Sequence, residues 1–267
     1  ALTTSLASAY GRPRSATNTL GGMVGDAKTL LRRQRASDTE ARLSLLGAFA
    51  LSFAGRSIDL PTPAQRLLAY LAIEDRPLQR GYLAAALWLD STDARAAGSL
   101  RSALWRIRRS GCKLVEKSNH QLQLSSTVAV DLHEAYAWVA RVQDRARPLS
   151  RADVASASLP AELLRDWYDD WVLLERERFR QLRAHALEVL CGRLAAEGRL
   201  GEALEIGLAA VHNEPLRESA HRAVISVHLA EGNRSEALRQ YTYYRRLVSR
   251  ELGVEPSPRM ETLLRAG

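Results

Sequence analysis

One phrase of eleven residues occurs twice in this chain, and it constrains the fold more than any other feature. Residues 194–204 (LAAEGRLGEAL) align with residues 228–238 (HLAEGNRSEAL) at an offset of 34. Six positions are identical: Ala196/Ala230, Glu197/Glu231, Gly198/Gly232, Glu202/Glu236, Ala203/Ala237 and Leu204/Leu238. Thirty-four residues is the tetratricopeptide period, one helix pair per repeat. The glycine ends one helix and the small alanine lets the next helix cross closely. Neither helix of such a pair buries its apolar face alone, so neighbouring pairs stack. A stack of helices is therefore expected at the back of the chain. It begins with the stripe Leu132, Ala135, Tyr136 and Val139 and continues in a long helix after residues 166–171 (DWYDDW), running through Leu190. Pro215 and Pro256 mark further boundaries. The polar stretch from Pro148 to Pro160 reads as a linker or a loop.

The front of the chain has a different rhythm. Leu43, Leu45, Phe49, Leu51 and Phe53 fall on odd positions, the period of strands with one buried face. Gly47 is the expected bend, and residues 54–57 a turn leading to Ile58 and Leu60. After residues 61–63 (PTP) the period becomes helical. Ala64, Leu67, Leu68 and Leu71 form one stripe, with Thr62 as the expected cap and Pro63 as the first helical residue. A second helix is expected from Arg80 to Leu89, a turn at Asp90–Asp93, and a third helix over 92–110.

The third helix carries the chemistry. At 100° per residue, Ala97, Leu100, Leu104 and Ile107 share the core side. The opposite face holds Arg95, Ser102, Arg106 and Arg109, flanked by Gly98, Ser99 and Trp105, with Arg101 and Arg108 to one side. Five arginines stand against one acid, Asp93. Guanidinium forks match guanine edges and phosphates, and short serines allow close approach to a groove. A merely solvated helix face would mix Glu with Arg at i, i+4 spacing, and this helix has no Glu. Two short strands come after the helix, around Lys113–Glu116 and Gln121–Leu124, with Lys117, Asn119 and His120 at the tip between them. Trp105 either packs against this hairpin or joins the arginine face. Sheet, three helices and hairpin is the order of a winged helix–turn–helix.

Charge agrees with that division. The chain is +8 overall. Residues 1–37 carry six basic groups against one acid, 38–125 twelve against eight, and 126–267 twenty against twenty-one. A basic front suits a polyanion partner, and a neutral back a protein partner. The only cysteines, Cys112 and Cys191, have no metal-ligand spacing and read as small buried hydrophobes in a reducing cytoplasm. The longest apolar run, Leu83–Leu89, is far short of a membrane span. No catalytic residue, cofactor site or metal site is expected. No GxSxG, HExxH or phosphate-binding glycine loop occurs; the pairs Asp131/His133 and Asp169/Asp170 read as water-facing, and the two aspartates near Trp167 and Trp171 more as helix-start and packing residues. The expected fold is mainly α with a small β part. Residues 1–39 are a flexible basic arm, which includes helical turns at 29–35 if any. Residues 40–126 are a winged helix–turn–helix and 127–267 a tetratricopeptide-like α-helical domain.

Several strings together resemble the Streptomyces antibiotic regulatory protein (SARP) family over roughly 42–265. At the front they are residues 45–47 (LLG), 67–71 (LLAYL) and 100–108 (LRSALWRIR), similar to an OmpR-like winged helix. At the back they are residues 171–180 (WVLLERERFR), 236–241 (EALRQY) and 251–258 (ELGVEPSP), similar to the bacterial transcriptional activator domain. The resemblance implies an activator of clustered, often secondary-metabolic, genes that binds direct repeats near the −35 region of double-stranded promoter DNA and contacts RNA polymerase holoenzyme. The sequence departs from the larger members in having no GxxxxGK(S/T) string and no receiver domain, so a small activator without ATP-driven or phosphorylation control is expected. The base-facing residues are then Arg95, Ser99, Ser102 and Arg106. The phosphate-facing residues are Arg101, Arg108, Arg109, Lys117 and Asn119, with His120 at the wing tip.

Three readings stand at this point. The first is a sequence-specific DNA-binding activator, paired on direct repeats, cytoplasmic and without membrane contact. The second is a tetratricopeptide-like protein-interaction adaptor with no specific DNA binding. The third is an RNA-binding regulator, which ranks last because single-strand binding needs aromatic platforms that the basic segment lacks.

Overall fold

The computed structural model describes residues 41–160 and 162–266, so the basic arm expected over 1–39 lies outside the described residues. Two strands, β1 (Ala41–Ser44) and β2 (Ala50–Phe53), pair antiparallel with Leu43 opposite Leu51, both buried. Gly47, at φ 92°, makes the bend between them. Ala54 and Gly55, both at positive φ, form the tight turn into β3 (Arg56–Ser57). Two consecutive positive φ values match the twist of an antiparallel pair. The alternation holds for Leu43, Leu45 and Leu51, which are buried, but not for Phe53, which is exposed. The fourth strand of this sheet is β7 (Val128–Val130), which lies parallel to β1 and gives the order β3-β2-β1-β7.

The helix α1 (Thr62–Glu74) starts one residue earlier than expected, with Pro61 at the cap position and no side-chain cap bond. Pro63 is tolerated there because the first turn needs no N–H donors. Ala64, Leu67, Leu68 and Leu71 are all buried, and Asp75 closes the helix in the left-handed region. A short strand, β4 (Leu78–Gln79), leads into α2 (Arg80–Leu87), which ends two residues before the predicted Leu89. Next come α3 (Asp93–Arg109) and the hairpin β5 (Val115–Ser118) and β6 (Gln121–Leu124), forming a second sheet of order β4-β6-β5.

The back is helical: α4 (Asp131–Gln143), α5 (Arg151–Ser156), α6 (Asp170–Ala196), α7 (Leu200–Asn213), α8 (Glu218–Ala230), α9 (Arg234–Leu252) and α10 (Pro258–Ala266). The predicted loop at 148–160 contains α5. Ser150 and Asp153 make a reciprocal capping box that starts it, a signal hidden in a Ser/Ala-rich stretch. The repeat appears as identical backbone bonds 34 residues apart. Gly198 donates to Ala195 and Arg199 to Leu194, as Gly232 donates to Leu229 and Asn233 to His228. Both glycines sit near φ +74°. This is the double closure of a Schellman motif, which a left-handed residue permits. Ala203 and Ala237 are fully buried where α7 and α9 cross their neighbours.

A strap, residues 157–160 and 162–169, ties back to front. Glu162 O accepts from Gly47 N–H at 2.6 Å, and Leu164 and Arg165 donate to Leu45 and Gly47. Arg66 on α1 pairs with Asp169. Asp131 holds the N–H groups of Leu45 (2.8 Å) and Leu46 (3.2 Å). His133 Nε2 lies 2.6 Å from Ala72 O. The water-facing expectation for Asp131 and His133 is thus corrected: they bind the front half, because each lies at the start of a helix that abuts it, while Asp169 is the helix-start residue it was expected to be. Asp170 remains exposed. The front core accordingly includes Val172 and Phe179 of α6.

Candidate nucleic-acid interface

α3 buries Ala96, Leu100, Ala103, Leu104 and Ile107 against α1 and α2. Ala97, expected in that stripe, is only half-buried, and Ala96 and Ala103 take its place. The helix is rotated so that small residues face its neighbours. Asp93 in the first turn and Arg106, Arg108 and Arg109 in the last complement the helix dipole.

The opposite side is open. Arg95, Arg101, Ser102, Arg106, Arg108 and Arg109 are exposed, and Ser99 is half-buried. Among the described residues, none of these five arginines forms an ion pair. The helical domain differs: Arg180 pairs with Glu177 and Glu214, Arg199 with Glu202, and Arg217 with Glu188. Trp105 joins the arginine face. It is 50% exposed, and the guanidiniums of Arg106 and Arg109 lie over its ring at 5.0 and 4.8 Å. A ring face holds a cation by its quadrupole, so Trp105 positions two arginines on the surface.

The hairpin tip is a two-residue turn. Asn119 (φ 42°) and His120 (φ 67°) both adopt positive φ between paired Ser118 and Gln121, the geometry of a type I′ turn. His120 O accepts from Arg80 N–H at 3.2 Å, which tethers the tip to the start of α2. Lys117, Asn119 and His120 are exposed beside α3. At the hairpin's base Glu116 accepts from Gln123 and Ser125 at 3.0 Å each. Those hydrogen bonds hold its carboxyl below the usual range, so it stays ionised. A cleft of about 360 Å³ between α3 and the hairpin is lined by Arg108, Lys113 and Lys117. A second, of about 470 Å³ between α2 and α3, is lined by Arg80, Asp93 and Arg101. Sequence reasoning missed Arg80 and Lys113. Arg80 marked only a helix boundary there.

The structure brings Arg108 of α3 and Lys117 of the hairpin onto one cleft, while the other predicted α3 and tip residues are exposed apart from half-buried Ser99. Among the described residues no cluster of His, Cys, Asp and Glu is arranged to hold a metal, and no helix is long and apolar enough to cross a membrane. Cys191 is buried and Cys112 half-buried, both as free thiols. Fold and surface define a class: a winged helix–turn–helix regulator with an appended helical-repeat domain.

Comparison with known proteins makes the class specific. Residues 129–266 match the bacterial transcriptional activator domain family, BTAD. The chain belongs to that family, as a SARP-type transcriptional regulator. It is similar to the regulatory protein AfsR of Streptomyces coelicolor, 29% identical over 240 residues, which span 83% of this chain and 24% of that protein. It is also similar to AfsR of Streptomyces griseus, 28% identical over 243 residues, with the same coverage. The chain thus spans about a quarter of the length of these curated relatives. In fold it resembles Mycobacterium tuberculosis EmbR, solved in complex with a low-affinity phosphopeptide. The TM-score is 0.69 at 22% identity, over 85% of this chain and 64% of that one.

Proposed function

We propose that this chain is a sequence-specific, double-stranded DNA-binding transcriptional activator that acts in the cytoplasm on promoter direct repeats and recruits RNA polymerase, with no catalytic role. The observation that carries this reading is the arginine face of α3, solvent-exposed and, among the described residues, without carboxylate partners, beside an exposed hairpin tip. Unpaired guanidiniums on an accessible helix keep their full attraction for phosphate, whereas paired ones have spent it on their own chain.

In this reading α3 lies in the major groove. Arg95, Ser99, Ser102 and Arg106 meet base edges, and Arg101, Arg108, Arg109, Lys117 and Asn119 meet phosphates. His120 sits at the edge of the hairpin contact, and Arg80 extends the phosphate track. Two copies on direct repeats would sit about 10–11 bp apart to share one face of the duplex. The turn between α2 and α3, where Leu89 and Asp90 are exposed, is the surface offered to polymerase.

Footprinting of the full chain on its own upstream DNA tests this reading. The expected result is two protected half-sites about one helical turn apart, competed by specific over nonspecific duplex at about 10³-fold or more. No protection at physiological salt would instead support the adaptor reading.

A further inference from the structure

The buried residues of α3, Ala96, Leu100, Ala103, Leu104 and Ile107, define the direction in which the helix faces its own core. At 100° per residue they centre within about 20° of Leu100, so the outward face centres roughly 165° from it. Trp105 lies at about 140°, near the middle of that face, whereas Arg106 lies at about 240°, toward its edge. Among the arginines only Arg109, at about 180°, is as central. A half-exposed indole thus occupies the middle of a surface whose other exposed side chains are mostly arginine and serine.

If α3 lies in a major groove, Trp105 meets base edges as directly as any arginine on it. A guanidinium or a hydroxyl can exchange water for a base edge or a phosphate and keep its hydrogen bonds. The carbon surface of an indole gains only where it meets another apolar surface. The major-groove edges of the bases carry one apolar group, the C5 methyl of thymine. Helix side chains lean toward the N-terminus, so the indole leans toward the turn that holds Arg101 and Ser102. One further turn back is Gly98, where an added Cβ would meet only Arg101 Nη2, at 3.7 Å, among the described residues. Small Ser102 and Gly98 leave room beside the ring for a base edge.

We propose that Trp105 is a specificity-determining residue that packs against a thymine methyl, in addition to carrying Arg106 and Arg109 on its ring. The inference rests on the DNA-binding reading and adds to it a base preference that no hydrogen bond supplies.

Replacing thymine by deoxyuridine removes that methyl and leaves every hydrogen-bonding group of the base in place. The test uses the full chain and the duplex it protects in its own upstream DNA, with each thymine of one half-site replaced singly. Fluorescence anisotropy at fixed salt gives an affinity ratio for each thymine–deoxyuridine pair of duplexes. One position is expected to show a loss of about 3- to 5-fold, the worth of one buried methyl group. At that position the ratio should fall to about 1 in Trp105→Ala and persist in part in Trp105→Phe, the pattern of a double-mutant cycle between protein and DNA. Comparing two duplexes within one variant cancels any general weakening from displaced arginines or lowered stability. Specific binding with no methyl-sensitive position overturns the proposal. So does a sensitive position whose ratio is unchanged in Trp105→Ala. Both of those results leave the DNA-binding reading standing, whereas a chain with no specific binding overturns that reading and the proposal together.

Discussion

Replacing Trp105 with alanine tests whether the α3 face is preorganised for DNA. Trp105 is half exposed, so truncation should cost only part of a buried tryptophan's worth of stability, about 1–2 kcal/mol, and leave the chain folded. Its ring, however, holds Arg106 and Arg109 at 5.0 and 4.8 Å. Freed from it, each arginine must be ordered when DNA binds, at about 0.5–1.5 kcal/mol per side chain. Two arginines give about 1–3 kcal/mol, or roughly a 5- to 150-fold loss of affinity. The number of phosphates contacted does not change, so the slope of log affinity against log salt should stay the same. Fluorescence anisotropy on a labelled promoter duplex, repeated from about 50 to 200 mM salt, measures both quantities. Trp105→Phe keeps a ring face and should recover part of the loss. If Trp105→Ala binds as tightly as the parent chain, the reasoning fails. If it flattens the salt slope, Trp105 is not acting through arginine placement alone.

The other expectations concern contact type, packing, protonation and the joint between halves. Arg106→Ala should cost about 1–3 kcal/mol and relax base preference at one position, while Arg109→Ala should weaken all duplexes alike and reduce the salt slope by about 0.9; a competition series at two salts separates them. Gly207→Ala should destabilise by about 1 kcal/mol, or about 2–4 °C in Tm by calorimetry. The new Cβ would lie 3.0 Å from Val224 Cγ2 and 3.2 Å from Cys191 Sγ, an overpacking that outweighs the helix-propensity gain. His221 is buried, its ring against Pro215 O, Gln240 and Tyr244, and burial lowers its pKa below 6.5. The unfolded chain thus binds the proton more readily. Stability contributed by neutral His221 is present above about pH 6.5 and lost as pH falls through the lower folded value, and His221→Gln should remove that share of the acid sensitivity in urea titrations. Asp131→Ala strips the acceptor from two backbone N–H groups and should cost about 2–4 kcal/mol, whereas Asp131→Asn, which keeps one acceptor, should cost less; chemical denaturation ranks the two.

The parts of the structure readable in advance are those whose cause is local. Gly198 and Gly232 end their helices for a reason carried within a few residues, so a repeat of the phrase is a repeat of the backbone. The α3 face was legible because a helix's period and the absence of Glu are both properties of one segment. Asn119 and His120 were legible as a tip, though not as a positive-φ pair. What escaped depends on distant partners. Asp131 looked like any helix-start carboxylate, yet its acceptors serve donors 85 and 86 residues earlier. The strap at 162–165 has no periodicity, because its bonds go to the bend around Gly47 rather than to its own neighbours. α5 was hidden for a subtler reason: composition favoured a loop, and the reciprocal Ser150–Asp153 cap outweighed it.

These long-range links change how the two halves should be understood. Charge and periodicity divide the chain near residue 126, and each side has its own element types. The packing does not divide there. β7 completes the front sheet from beyond that point, and Phe49 stacks on Trp167 at 5.9 Å. Trp167 meets Trp171 at 6.2 Å, and Trp171 meets Tyr70 of α1 at 5.1 Å. An unbroken aromatic chain therefore runs from the front sheet through the start of α6 to the helix that supports α3. Aromatic pairs of this kind add about 0.5–1.5 kcal/mol each beyond the area they bury. With the Arg66–Asp169 pair and the strap's backbone bonds, the joint has enough specific contacts to hold one arrangement rather than a swinging tether. Whatever binds the helical domain thus acts on a structure continuous with the helix that presents the arginines.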